Sequence, residues 1–143
     1  MVLYRPVGTK ELELIKESGY KKFPPRLPEQ PIFYPVLNEK YAVEIASQWN
    51  VKYNDDHKGY VTKFEIEDVY SEQFEVHTVG AGYHQELWVP AEELETFNRH
   101  IIGEIKVIGE FAAGERNPTK GNPRQEKEGS GYGDNTIGGR AGL

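Results

Sequence analysis

A carboxylate set inside an apolar run is the residue of this chain best placed to do chemistry. Glu86 stands in His84-Gln85-Glu86-Leu87-Trp88-Val89-Pro90, one short step before a helix start. Such an acid either faces water as an ordinary strand-face carboxylate or sits in a cleft for a reason. A second charge interrupts another apolar strand, Leu3-Tyr4-Arg5-Pro6. A guanidinium is planar and can grip two phosphate oxygens at once. A fixed carboxylate stabilises positive charge as it develops on a bound molecule. Together the two suggest a site for a phosphorylated ligand on which positive charge must be steadied. The plainer alternative for Arg5 is a surface pair with Glu11 or Glu13, worth at most ~1 kcal/mol.

Composition narrows the field. The 143 residues suit one domain with one core, and the 12% aromatic content can fill a small β-rich interior. Net charge is −6 with no block of Lys or Arg, which argues against a nucleic-acid patch. There is no cysteine, so disulfides, thiolate metal sites and a cysteine nucleophile are excluded. The four histidines (His57, His77, His84, His100) lack metal-ligand spacing, and no metal is expected. No signal pattern and no run of 18 apolar residues is present, so no membrane span is expected and a cytoplasmic location is the default.

The elements that must position these residues follow from periodicity. Val2–Tyr4 reads as a strand. Thr9 can cap a helix stopped by Ser18-Gly19. Four prolines between Phe23 and Pro31 enforce a stiff extended loop. Ile32 to Val36 is a brief strand. Asn38 caps a helix whose Tyr41, Ala42, Ile45, Ala46 and Trp49 recur at helical spacing. Beyond a polar turn the period becomes two, with Tyr60, Thr62, Phe64 and Ile66 on one face. Phe74, Val76 and Thr78 continue that pattern, followed by Leu87 and Val89. His77 then falls on a polar, solvated face, while Trp49 and Trp88 read as core residues. Pro90 fits the first helical position, with Glu92 and Glu93 behind it. Ile105, Val107 and Phe111 form a last strand. The order βαβαβββαβ, with strands clustered late and short links, predicts an α+β domain of mostly antiparallel sheet with two to three helices over 1–112. Residues 113–143 carry 8 of the 15 glycines and almost nothing apolar, the composition of a disordered tail.

Three motifs in this order resemble an ADP-ribosyltransferase-like domain: "LYRPVG" before a helix, "PIFYPVLN" running into a helix, and "HQELWVP". The chain also resembles an uncharacterised bacterial family labelled "ADP-ribosylation/crystallin J1", although it is too short and too β-rich for the all-helical hydrolases behind the second half of that label. The resemblance implies NAD as cofactor, with ADP-ribosyl transfer or NAD glycohydrolysis as the activity. By it, Tyr4 and Arg5 contact the dinucleotide, Tyr34 covers the nicotinamide, and Glu86 stabilises the ribosyl cation. His84, which the resemblance groups with the cofactor contacts, occupies the place of the acid or glutamine that arginine-modifying members carry two residues earlier. Phe33-Tyr34-Pro35 replaces their Ser-Thr-Ser. The alternative is a non-catalytic module on the same fold that binds a nucleotide or a protein, the latter through the proline-rich loop.

Overall fold

A computed structural model describes residues 1–113; the expected tail lies outside the described residues, apart from Ala113. The domain is a small α+β unit in which antiparallel pairing predominates. Strand β1 (Val2–Val7) leads into helix α1 (Thr9–Glu17), and the Pro-rich stretch follows without regular structure. Strand β2 (Ile32–Phe33) precedes helix α2 (Glu39–Glu44). That helix runs on as a π-helical segment, Ile45–Asn50, and a final turn, Val51–Tyr53. Strand β3 (Lys58–Ile66), short helix α3 (Asp68–Ser71) and strands β4 (Val76–Thr78), β5 (Gln85–Leu87) and β6 (Val89–Pro90) come next. A 3₁₀ turn, Ala91–Glu93, opens helix α4 (Leu94–Arg99), and β7 (Ile101–Ala112) closes the described chain.

Pairing makes β3 the centre. It lies antiparallel to β1 on one side and to β7 on the other. Val36 bridges Tyr4 of β1 and Glu86 of β5 at once. Its amide donates to the Tyr4 carbonyl at 2.7 Å, while the amides of Leu37 and Leu87 bond Gln85 and Pro35. The lateral order is therefore β4, β5, residues 35–37, β1, β3, β7. A separate two-stranded ladder joins β2 to β6.

Because β3 is central it is covered on both faces, and the simple alternation expected for it breaks down. Tyr60, Phe64 and Ile66 join Leu3, Val7, Phe23, Phe33, Leu87 and Phe97 in the main core. Val61, on the other face, is equally buried, among Val36, Tyr41, Ala42 and Ala46. Gly59 is demanded by the approach of α2's π-helical segment. A Cβ there would stand 2.5 Å from the Ala46 carbonyl oxygen and 2.7 Å from Asn50 Cβ.

Several local expectations shift. Asn38 does cap α2, its side chain accepting from the Tyr41 amide at 2.8 Å. Thr9 does not cap α1; Gly8 holds that position in an extended conformation without a side-chain bond. The Thr9 hydroxyl is instead drawn to Asp56 across the fold. Pro90 pairs with Ile32 rather than opening the helix, as a residue without an N–H suits the end of a short ladder. Val76 is 46% exposed, since β4 lies at the edge beyond β5. Helix α3 goes unsignalled, and α1 to α4 make four helices among the described residues. None of these helices is long and apolar enough to cross a membrane.

Candidate functional site

Glu86 is 2% exposed. Its position in mid-β5 and its antiparallel partners decide this: His77 lies opposite on β4 and Val36 on the other side. Leu87 points into the main core, so Glu86 points to the opposite face, with Val36 and Tyr4 in the same lateral row. A buried acid needs hydrogen-bond donors, because isolated carboxylates are very costly away from water. Tyr41 supplies one, its hydroxyl donating to Oε2 at 2.9 Å from the first turns of α2. Trp88 supplies another, its indole N–H donating to Oε1 at 2.9 Å. Trp88 lies just past the end of β5, two residues beyond Glu86, and this bond brings its ring to the side of the acid.

Aromatic rings surround this acid. His77 stacks on Trp88 with centroids 3.8 Å apart and planes within 11°. Tyr34 meets Trp88 edge-on at 6.0 Å. His84 stacks on Tyr41 at 4.3 Å. Its Nε2 lies 3.0 Å from Glu44 Oε1, and Glu44 also accepts from the Tyr83 hydroxyl. That bond to Glu44 is the main cause holding the Tyr83 phenol above its ordinary ionisation range. Lys40 sits over the Tyr83 ring at 4.3 Å. Tyr41 is 4% exposed and Trp88 40%, so of the two donors to the carboxyl group it is the indole that meets solvent.

Of the residues singled out from sequence, Tyr4, Tyr34, His84 and Glu86 belong to this face. Tyr4 lies in the Val36–Glu86 row, Tyr34 reaches the site through Trp88, and His84 through Tyr41. Arg5 is placed elsewhere. It alternates with Tyr4, beside Leu3 and Val7, and faces the main core. There its Nε and Nη2 donate to the two Glu11 carboxylate oxygens at 2.8 and 3.1 Å, with the guanidinium 4.7 Å above the Phe33 ring. It is the pair with Glu11 that forms, and it forms mostly buried, with Arg5 8% exposed. Tyr41, Trp88 and His77 are the residues that sequence reasoning missed. An i, i+2 spacing from Glu86 was the available signal for Trp88. Nothing local marks Tyr41, which lies 45 residues from its partner.

The described residues contain no group of three or more His, Asp or Glu arranged to hold a metal ion. Among the open clefts of the described residues, one borders the site and another does not. One, of about 370 Å³, is lined by Phe74, His77, Trp88, Pro90 and a rim of glutamates. The larger, of about 680 Å³, lies between α1 and residues 53–56, away from Glu86.

Fold and site together define a small α+β domain that holds one buried, doubly donated carboxylate among stacked aromatic rings. Comparison with protein-family models, curated proteins and solved structures gives no match for this chain.

Proposed function

We propose that this domain has an ADP-ribosyltransferase-like architecture, takes NAD as its substrate and breaks the nicotinamide–ribose bond. ADP-ribose then passes to water or to an acceptor. One observation carries the reading: Glu86 is fixed by Tyr41 and Trp88 within an aromatic enclosure. As the bond breaks, its electron pair leaves with the nicotinamide and neutralises the pyridinium. Positive charge moves onto the sugar, as in glycoside hydrolysis. A carboxylate that is already oriented stabilises that charge without reorganising at the moment of reaction. Tyr34 and Trp88 offer aromatic surface for a flat ring, worth ~0.5–1.5 kcal/mol beyond area burial. The motif-bearing segments are also neighbours, with β5, residues 35–37 and β1 side by side.

A second reading rests on Arg5. The guanidinium expected to meet the phosphates is already engaged by Glu11 on the far face. That favours a module which binds a nucleotide or a protein without turning anything over. Nicotinamide release and NAD binding, each measured for the wild type and for Glu86→Gln, separate the two. The enzyme reading requires release that falls at least about a hundredfold in the variant, comparable to losing an oxyanion-type contact. Release undiminished in Glu86→Gln removes Glu86 from the chemistry. Binding without release in both proteins supports the second reading.

A further inference from the structure

The cleft beside Trp88 has its own chemistry. Its walls are the His77–Trp88 stack, Phe74 and Pro90, and its rim carries Glu75, Glu92 and Glu93. No lysine or arginine is among its lining residues. The carboxylates are differently engaged. Glu93 accepts from the Tyr70 hydroxyl at 2.6 Å, Glu75 lies 3.5 Å from His77 Nε2, and Glu92 is exposed. Behind the wall, the Trp88 N–H donates to an oxygen of the buried Glu86 carboxyl group. Donation to a carboxyl oxygen polarises the indole and makes its π system more electron-rich. A negatively charged rim around an electron-rich aromatic wall favours one kind of guest: a flat, weakly hydrated organic cation.

We infer that the Phe74–His77–Trp88–Pro90 cleft is a recognition site for an arginine side chain on a basic peptide segment of a partner protein. The guanidinium lies against the aromatic wall while its N–H groups face the rim carboxylates. Arginine suits the site better than lysine, because a planar guanidinium stacks on rings and can serve two carboxylates at once. The cleft shares Trp88 with the surface proposed for the nicotinamide, yet arginine recognition there requires neither NAD nor turnover.

The test uses the full chain without NAD. The two tryptophans provide two indole N–H resonances, one of which reports on this cleft. The probes are a short blocked peptide, Gly-Gly-Arg-Gly-Gly, and its citrulline counterpart, which keeps the shape and loses the charge. The arginine peptide is expected to shift the Trp88 indole resonance saturably and leave that of Trp49 in place, while the citrulline peptide shifts neither. The doubly substituted Glu75→Gln/Glu92→Gln protein, which keeps the Glu93–Tyr70 bond, binds about two- to fivefold more weakly, as the loss of exposed ion pairs implies. Added salt weakens binding to the wild type. Equal shifts from both peptides, an unmoved Trp88 resonance, or affinity unchanged in the double variant each overturn the assignment.

Discussion

The Tyr41 hydroxyl and the Glu86 carboxylate meet at 2.9 Å although 45 residues separate them in the chain. This bond ties the first turns of α2 to the middle of β5 and sets the direction in which the acid points. Tyr41→Phe removes one donor from a buried acceptor and keeps the ring that His84 stacks on. Stability should fall by about 1–3 kcal/mol. The measurement is a urea-unfolding midpoint at unchanged m-value. A change under ~0.5 kcal/mol would mean that the hydroxyl adds little to holding the acid. If the domain releases nicotinamide, Tyr41→Phe should lower kcat more than it raises KM, because it acts on the orientation of Glu86.

Arg5 and Glu11 form the second test. Their two-pronged pair lies mostly out of solvent, so a double-mutant cycle with Arg5→Ala and Glu11→Ala should return a coupling of about 0.5–3 kcal/mol. Both single variants should lose stability. If Arg5 serves only the fold, NAD affinity measured well below the unfolding transition changes equally in the two. An affinity loss confined to Arg5→Ala would instead return the arginine to the ligand.

Gly59 is constrained by its neighbours rather than by its own torsions. Gly59→Ala drives a methyl against the Ala46 carbonyl and the Asn50 side chain. Overpacking of this kind costs about 1–3 kcal/mol, and thermal or urea denaturation would register it. Wild-type stability in the variant would show that the π-helical segment can withdraw from β3.

Alkaline pH should find Tyr70. Burial, and then the Glu93 carboxylate that accepts its hydroxyl, raise its pKa above the ordinary 10.0. A raised folded-state pKa means that the native protein holds this proton more tightly than the unfolded chain does. The associated stability is present in full below pH 10.0 and is lost as pH climbs through the folded value. Ultraviolet titration of phenolate should show one late-ionising tyrosine fewer in Tyr70→Phe. In Glu93→Gln that tyrosine should ionise earlier. Identical titration curves for wild type and Glu93→Gln would remove the carboxylate as a cause.

Features that depend on near neighbours are legible in the chain alone. Asn38 announced its helix because a cap bonds an amide three residues away. Leu3, Arg5 and Val7 had to share one side of β1, with Tyr4 on the other, because strand side chains alternate. The α+β class and the antiparallel character followed from the order and spacing of such segments. Glu86 stood out for the same local reason, as an acid among apolar residues.

Which side of each strand met which partner was set by long-range packing. Alternation sorts a strand's residues into two sets, but pairing register and helix packing choose the environment of each set. Val36 bridges both Tyr4 and Glu86, which puts those two on one face and leaves Arg5 on the other, with Glu11. The two-sided burial of β3 likewise came from its central place in the sheet, a position no single strand's sequence records. Tyr41 became a partner of the buried acid because α2 packs over that face, a long-range contact fixed by how the whole sheet is covered.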